Sequence, residues 1–381
     1  MQGESGQSRV VVAGAGVVGL SIAWRAAAAG SSVVLCDPAP GRAASWAAAG
    51  MLAPVTEAHI GEENLVRMNL AAARRWDTFA AELEAASGAG IGYRRCGTVM
   101  VASDSSDMAV VDRILAYHAT TGLESHRLSA RQCRTLVPSL APGVRGGAGA
   151  PSDHQVDNRL MLEALSIAAR RAGVRVVQST VSSVSVSDER ATGVVLSDGS
   201  AIGADAVVVA TGCWTPELGG LPEGVLPPVR PVKGHVVRLR GPELIDRNVR
   251  CIVHGSSIYM VPRADGTIVV GATVEERGYD TSVQAGAVYE LLRDAREVIP
   301  GIAELELVET STGLRPGSPD NGPFIGWTEV EGLAVATGHY RNGILLAPVT
   351  ADAICDLLAG NEVSELVAPF KADRLARAIT A

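Results

Sequence analysis

The sequence predicts an α/β fold in which a parallel nucleotide-binding sheet is interleaved with a second, antiparallel sheet. Three observations support this prediction. A strand, a glycine-rich turn, a helix and a second strand follow one another over residues 9–37. A continuous apolar run over residues 206–211 is typical of a strand that is buried on both faces. Residues 235–274, in contrast, alternate between apolar and polar side chains, which indicates an antiparallel sheet with one open face.

The first strand runs directly into a G-x-G-x-x-G spacing made by Gly14, Gly16 and Gly19. In dinucleotide-binding turns the first glycine makes the tight turn, the second lets the backbone approach a pyrophosphate, and the third lets the helix lie close to the strand. The helix would then offer N–H groups and a positive dipole end to the phosphates. Asp37 follows the second strand, where an acidic residue binds a ribose hydroxyl. The stretch predicts a Rossmann-like dinucleotide site, and the alternative is a tight turn that binds nothing.

Length and composition limit the class of protein. A chain of 381 residues is long for one core and predicts two domains. The formal net charge of −8 argues against nucleic acid or an anionic membrane surface as a partner. The six cysteines form no C-x-x-C pair and indicate reduced thiols in a cytoplasmic protein. The polar N-terminal segment does not resemble a signal peptide, and no apolar stretch approaches the ~20 residues of a membrane span.

Two further counts argue against other kinds of site. The chain has only two lysines, Lys233 and Lys371, and neither lies in a segment typical of a Schiff-base enzyme. The seven histidines show none of the spacings that hold a metal ion, so we expect no metal site.

The remaining pattern orders the elements along the chain. Helical periodicity covers residues 62–87, 106–119, 158–172 and 283–299, and a short helix precedes Pro138. The last segment returns a strand, a glycine-rich turn and an apolar helix to the nucleotide-binding domain. We therefore assign the nucleotide-binding domain and the substrate domain to alternating ranges, which are 1–75, 145–215 and 320–381 for the former and 76–144 and 216–319 for the latter.

Two features favour a flavin over a nicotinamide cofactor. A long segment of small residues, 38–52, follows the second strand where a nicotinamide-binding domain would begin a third strand. Small side chains there would fit between the backbone and a ligand, although the same composition also suits the start of a packed helix. The return of the chain to this domain at its end suits a cofactor that lies across the whole domain.

Six segments together resemble the D-amino-acid-oxidase superfamily of flavoproteins and, within it, the glycine oxidases. They are GAGVVG with Asp37, RAASWAAAGML, ATGCW at 210–214, PVKG at 231–234, STGLRPGSPDNGPFIG and GHYRNGILLAP. The resemblance spans nearly the whole chain and implies a Rossmann-like FAD-binding domain with an interleaved antiparallel-sheet substrate domain. Sarcosine oxidases attach their flavin through a cysteine, and residues 310–325 contain none, so the implied FAD is non-covalent.

The resemblance also implies which residues hold FAD. Asp37 and Pro38 would meet the adenosine ribose, the backbone of Val181 would pair with the adenine, and the turn at 339–345 would lie against the flavin pyrimidine. A helix that starts after this turn would aim its positive end at the flavin, with Pro348 tolerable only in its first turn. The implied set is Gly14, Gly16, Val17, Val18, Gly19, Asp37, Pro38, Ala44, Ser45, Ala49, Gly50, Met51, Val181, Gly212, His339, Tyr340, Arg341, Asn342, Gly343, Ile344 and Leu345.

Three residues are candidates for the substrate side. Arg315 would bind a substrate carboxylate, because a permanently charged, bidentate guanidinium suits that planar anion. Tyr259 matches a tyrosine that faces the substrate in this family, or else it packs on the core face of a sheet. Arg341 would contact the flavin or nearby carbonyls. Ser257 and Val274 depart from the histidine and methionine that line the substrate pocket of Bacillus-type glycine oxidases.

The implied activity is an oxidase reaction. Hydride transfer from glycine or another small amine to the flavin would give an imine, O2 would be reduced to H2O2, and the product would serve the thiazole of thiamine. Alternatives within the superfamily are a D-amino-acid oxidase or dehydrogenase and a sarcosine-type oxidase. Alternatives of other classes are an NAD-dependent dehydrogenase and a non-catalytic nucleotide-binding sensor. Related glycine oxidases make a homo-oligomer possible.

Overall fold

The computed structural model describes residues 7–375. The strands are β1 (Arg9–Ala13), β2 (Ser32–Cys36), β3 (Met51–Leu52), β4 (Thr98–Ala102), β5 (His126–Ser129), β6 (Gly146–Ala150), β7 (His154–Gln155), β8 (Arg175–Val177), β9 (Val181–Ser187), β10 (Arg190–Leu196), β11 (Ala201–Gly203), β12 (Ala206–Val209), β13 (Arg230–Arg240), β14 (Asn248–Val253), β15 (Ser256–Pro262), β16 (Thr267–Gly271), β17 (Glu306–Gly317), β18 (Phe324–Trp327) and β19 (Leu333–Thr337). The α-helices are α1 (Val17–Ala28), α2 (Ala44–Ala47), α3 (Glu63–Ser87), α4 (Ser105–Thr121), α5 (Ala130–Leu136), α6 (Asn158–Arg171), α7 (Ala285–Val298) and α8 (Gly343–Leu358).

A six-stranded sheet carries the glycine-rich turn. Its order is β18-β19-β12-β1-β2-β8, and every neighbouring pair is parallel except the edge pair β18 and β19. The apolar run predicted as a buried strand forms β12 and pairs with β1 on one side and β19 on the other. Because parallel strands end at the same edge, the turns after β1, β2, β12 and β19 lie together.

Both faces of this sheet are covered. Helices α1, α3, α6 and α8 pack together on one face, where Trp76 and Phe79 of α3 are buried. On the other face lies a three-stranded antiparallel sheet of β9, β10 and β11, whose Val184 and Val194 pack against Val207. Burial on both faces explains why β1 and β12 are almost purely apolar.

The second sheet has eight strands in the order β17-β13-β16-β15-β14-β4-β6-β5. The three strands predicted to be antiparallel are β13, β16 and β15, and their antiparallel pairing is confirmed, but the prediction of an open face is wrong. Strands β14 and β4 run parallel, and β14 and β16 are buried along their whole length. Helix α7 covers one face of the sheet, and Ala49, in the small-residue segment, packs against Val236 and Val261 on the other. Alternating side chains therefore face two different interiors rather than one interior and solvent.

The predicted helices are present, and their ends differ from the predicted ones by at most two residues. One expectation about α8 is wrong. Because α8 begins at Gly343, Pro348 lies in its second turn rather than its first. A proline there lacks the N–H that would bond the carbonyl of Ile344, four residues earlier, and the helix continues without that bond.

The domain ranges stay a prediction. Two elements near their boundaries are informative, because α3 is continuous across 75/76 and β6, placed by the ranges in the nucleotide-binding domain, pairs with β4 and β5 of the eight-stranded sheet. Within residues 7–375 no helix combines the length and the apolar character needed to cross a membrane.

Candidate active site

The three glycines of the first turn have different surroundings. Gly14 has a φ of +99°, and a Cβ there would lie 2.4 Å from the carbonyl oxygen of Ala210. A Cβ at Gly19 would lie 1.9 Å from the carbonyl oxygen of Gly14. At Gly16 the nearest atom would be Ser45 Oγ, at 3.4 Å. Packing between strand and helix therefore requires Gly14 and Gly19, whereas the missing side chain of Gly16 leaves space in the cleft beside it.

Helix α1 begins at Val17 with its positive end at this cleft. Its N-cap residue, Gly16, has no side chain to cap the helix, and the first turn contains no acidic residue. The N–H of Val17 donates to Ser45 Oγ at 3.1 Å. Neither the N-cap nor the first turn of α1 supplies an anion to this helix terminus, which suits an anionic ligand.

Asp37 holds the glycine-rich turn as well as facing the cleft. Its Oδ2 accepts a hydrogen bond from the N–H of Ala15 at 2.7 Å, and its Oδ1 accepts one from Ala39 at 2.8 Å. Each carboxylate oxygen has a second lone pair, so Asp37 can still accept from a ribose hydroxyl. The side chain thereby connects the end of β2 to the turn between β1 and α1.

The small-residue segment is held from behind by buried polar side chains. Asn158 Nδ2 donates to the carbonyls of Ser45 and Trp46 at 2.8 and 2.9 Å. Arg263 Nη2 donates to the carbonyl of Ala49 at 2.6 Å. These carbonyls are thus engaged on the protein side, and the segment presents small side chains to the cleft. Sequence reasoning missed both holding residues, which lie more than 100 positions away.

Arg315 and Tyr259 enter the cleft from the eight-stranded sheet. Arg315 Nη1 donates to the carbonyls of Thr273 and Lys233 at 3.0 and 3.4 Å. Among residues 7–375 no carboxylate lies within 4.0 Å of its guanidinium, although that group lines the cleft. Burial raises the pKa of Tyr259, so its hydroxyl stays protonated. The sheet therefore presents a cation and a neutral hydroxyl to whatever occupies the cleft.

A buried ion-pair network lies beside these two side chains. Glu57 accepts from Arg341 Nε at 2.7 Å and lies 2.7 Å from Arg250 Nη1. Burial opposes ionisation of Glu57, but the two guanidinium groups prevail and lower its pKa to about 2. Arg341 thus has a carboxylate partner in the protein, whereas among residues 7–375 Arg315 has none. Sequence reasoning missed Glu57, although an acid within the apolar segment APVTEA was a usable signal.

The turn before α8 closes the cleft. His339 is buried, and its Nε2 lies 3.0 Å from Thr350 Oγ1 of the helix. Burial lowers the pKa of His339 to about 3, so its imidazole is neutral. The N–H of Tyr340 donates to the carbonyl of Pro316 at 3.0 Å, which joins this turn to the end of β17.

Most of the predicted residues surround one cleft. Gly19, Pro38, Val181 and Leu345 do not line it. Ser257 is exposed and contacts Arg250 Nη2 at 3.4 Å, and Val274 is also exposed, so neither departure from the family pattern lies at the cleft surface. The predicted residues that line the cleft are Gly14, Gly16, Val17, Val18, Asp37, Ala44, Ser45, Ala49, Gly50, Met51, Gly212, Tyr259, Arg315, His339, Tyr340, Arg341, Asn342, Gly343 and Ile344.

The cleft extends between the two sheets and is partly open to solvent. It runs from Asp37, past the open side of Gly16, to Arg315 on the other sheet. The residues therefore suit a ribose and a pyrophosphate at one end and a carboxylate-bearing substrate at the other.

Comparison with known proteins agrees with this geometry. The family model DAO, described as FAD dependent oxidoreductase, matches residues 9–357. The bifunctional protein ThiO/ThiG of Synechocystis sp. is 34% identical over 372 residues, which cover 96% of this chain and 54% of that protein. The glycine oxidase of Geobacillus kaustophilus is 32% identical, and the alignment covers 96% of both chains.

Solved structures are similar over the same length. The crystal structure of the Geobacillus kaustophilus glycine oxidase matches with a TM-score of 0.88 over 97% of this chain and 99% of that one. Iminodiacetate oxidase from Chelativorans sp. matches with a TM-score of 0.85 at 27% identity, over 96% and 99% of the two chains. The chain spans about half the length of the bifunctional relatives and nearly the whole length of the glycine oxidase. Since the family model covers most of the chain, the predicted membership is confirmed: the chain belongs to the DAO family of FAD dependent oxidoreductases.

Proposed function

We propose that the protein is an oxidase that dehydrogenates glycine or another small amine to the imine, with O2 reduced to H2O2. The single observation that carries this proposal is the unmatched guanidinium of Arg315 in the same cleft as the glycine-rich turn. The names of the relatives add support, since they include glycine oxidases and bifunctional ThiO/ThiG proteins. From the latter we also propose that the product supplies the thiazole of thiamine.

The charges of the cleft favour a substrate with one carboxylate. Arg315 lines the cleft, and no carboxylate among residues 7–375 pairs with it. A hydrogen bond to a charged group contributes about 1.5–3 kcal/mol. Arg341 is already paired with Glu57, which it shares with Arg250, so it has a carboxylate partner before a substrate binds. We therefore assign carboxylate binding to Arg315, with Tyr259 as a hydroxyl donor beside it, and assign Arg341 to shaping the cleft.

The chain's own residues bind and orient, and the cofactor supplies the redox chemistry. FAD, when bound, accepts the hydride from the α-carbon of the amine. The open side of Gly16, the terminus of α1 and Asp37 would hold its pyrophosphate and ribose. The turn from His339 to Gly343 would lie at the flavin end, where the N-terminus of α8 favours negative charge. No side-chain base is needed if the substrate binds as the free amine.

Anaerobic reduction of the purified protein tests the proposal. We expect a yellow protein that bleaches when glycine is added without oxygen. When air is admitted, the protein should regain its colour and form H2O2. Sarcosine, D-alanine and iminodiacetate, tried in the same way, separate the alternatives within the family. If an amine bleaches the protein and the colour returns only with an artificial electron acceptor, the protein is instead a dehydrogenase. A protein that binds FAD but is bleached by no amine in this panel would contradict the proposal.

Two statements beyond the site stay predictions from the sequence. They are the cytoplasmic location, for which the argument is the pattern of the cysteines, and a possible homo-oligomeric state, for which the argument is the family resemblance. Sedimentation of the purified protein would measure the second directly.

A further inference from the structure

Four adjacent strands form the wall of the cleft that carries the two substrate-side residues. In order they are β17, β13, β16 and β15. Arg315 belongs to the first strand and Tyr259 to the last, so three strand spacings of about 4.8 Å, or about 14 Å, separate their backbones. The two side chains can act on one small substrate only if both lean inward across the strands between them.

The strand register places these residues on one face. Arg315 pairs with Val232, two residues before Gly234, and Val236 pairs with Gly271, which in turn pairs with Tyr259. Paired residues of an antiparallel sheet share a face, and residues two apart along a strand do as well. Gly234 and Gly271 therefore lie between Arg315 and Tyr259 on the face that the cleft uses.

Each glycine lies under the tip of one of these side chains. A Cβ at Gly234 would lie 2.4 Å from both Nη1 and Nη2 of Arg315 and 2.6 Å from its Cζ. A Cβ at Gly271 would lie 2.5 Å from the hydroxyl oxygen of Tyr259 and 2.7 Å from its Cζ. Real Cβ atoms do not approach other atoms this closely, so any other residue would displace the guanidinium or the phenol.

A left-handed backbone does not explain the presence of the two glycines, because neither has a positive φ. Glycine weakens a strand, since it has no side chain to pack and loses more entropy on folding. The atoms nearest to the space they leave are the tips of Arg315 and Tyr259, and this points to a role in placing those tips.

We infer that Gly234 and Gly271 are positioning residues, which let Arg315 and Tyr259 lie flat on the sheet and converge on one carboxylate. With Gly234 beneath it, the guanidinium reaches the carbonyls of Lys233 and Thr273 through Nη1. Its other nitrogens remain available to a ligand, because among residues 7–375 they have no carboxylate partner. This inference rests on the proposed function, of which it specifies the carboxylate site.

Alanine variants test the inference, with acetate as the probe and the absorbance of the bound FAD as the readout. Acetate binding requires no turnover, so it measures the carboxylate site alone. We expect Gly234→Ala to raise the Kd of acetate at least tenfold while the melting temperature and FAD content stay close to those of the parent. The atoms that the new methyl group would displace are at the tip of a flexible side chain, so they can move at low energetic cost.

A matched control is available in another sheet. Gly203 lies in strand β11, and a Cβ there would meet its nearest atom at 3.9 Å. Gly203→Ala should change the Kd of acetate by less than twofold. Gly271→Ala provides an independent variant, since it acts on Tyr259 rather than Arg315, and we expect it to raise the same Kd severalfold. The inference is overturned if both cleft variants bind acetate as the control does.

The double variant Gly234→Ala/Arg315→Ala distinguishes a positioning role of Gly234 from a general loss of structure. If Gly234 acts through the guanidinium, its substitution should have less than a twofold effect once that group is gone. An undiminished effect in that background would overturn the inference. A parent protein that binds acetate but is reduced by no amine would contradict the proposed function and leave this inference supported. A parent that binds no acetate would overturn both.

Discussion

Arg341 and Glu57, which are separated by 284 positions in the chain, meet in a charged hydrogen bond of 2.7 Å from Nε to Oε2 at the wall of the cleft. Arg250 approaches the same carboxylate from the eight-stranded sheet at 2.7 Å. Glu57 thus connects the turn before α8 to strand β14. One carboxylate between two guanidinium groups leaves this network with a net positive charge, beside the end of the cleft that we propose for the flavin.

Loss of this carboxylate should be strongly destabilising. In Glu57→Gln the guanidinium groups of Arg250 and Arg341 would face a neutral amide. That of Arg250 is nearly inaccessible to solvent. We expect the free energy of unfolding to fall by about 3–5 kcal/mol, the usual consequence of breaking a buried pair. Urea-induced unfolding of the parent and the variant measures this change in the free energy of unfolding. The control is Asp112→Asn, which removes an exposed partner of Arg127 and should change the same quantity by less than about 1 kcal/mol. Equal effects in the two variants would contradict the prediction.

Alanine substitutions of two glycines in the same turn should have different effects, a loss of stability at Gly19 and a loss of FAD affinity at Gly16. Gly19→Ala would place a methyl group 1.9 Å from a backbone oxygen, so we expect a stability loss at the upper end of about 1–3 kcal/mol. Gly16→Ala meets only Ser45 Oγ at 3.4 Å and should fold normally. Its methyl group would occupy space beside the helix terminus and weaken FAD binding by about tenfold, or ~1.4 kcal/mol.

Titration of the two apoproteins with FAD, together with their melting temperatures, distinguishes these effects. The expected result is a stable Gly16→Ala protein with poor FAD affinity and an unstable Gly19→Ala protein. A Gly16→Ala protein that binds FAD like the parent would show that the open side of Gly16 is not used by the cofactor.

The flavin should be released by acid. Cys213 is the cysteine that lines the cleft within the described part of the chain, and burial raises the pKa of its thiol to about 12. The thiolate is the nucleophilic form of cysteine, so this side chain is poorly suited to attack a flavin. After acid precipitation we expect all FAD in the supernatant, from both the parent and Cys213→Ser. If the flavin stays in the pellet of the parent but is released from the pellet of Cys213→Ser, it is bound covalently to Cys213.

The neutral state of His339 should make the protein sensitive to acid. Its pKa is lowered by burial to about 3, whereas in the unfolded chain it is about 6.5. A lowered folded-state pKa stabilises the fold above pH 6.5, and that stability is lost as the pH falls toward 3. Between pH 6.5 and pH 5 the loss is about 2 kcal/mol.

Melting temperatures of the parent and His339→Gln, measured with saturating FAD from pH 7.5 to pH 5, check this expectation. Glutamine does not titrate and can still bond to Thr350. The variant should therefore lose less stability in acid than the parent. Parallel curves would show that protonation of His339 does not contribute.

The sequence predicted those parts of the fold that depend on neighbours along the chain. The strand, the glycine spacing, the helix and Asp37 lie within residues 9–37, where hydrogen-bonding and steric rules act locally. The parallel strand predicted over 206–211, which forms β12 over 206–209, is also local, because its apolar run indicates burial on both faces. The open face of the second sheet was a wrong prediction, since alternation cannot distinguish solvent from a second interior.

The sequence by itself determined that a dinucleotide turn, an acid after the second strand and a chain return at residues 333–358 are present, and it pointed to Arg315. Only the tertiary structure decided which charges meet. Glu57 matches Arg341 rather than Arg315, and Gly234 lies under the Arg315 guanidinium because of the register between β13 and β17. Such contacts join residues about 80 to 280 positions apart, and their partners follow from strand pairing and packing, which no local pattern encodes.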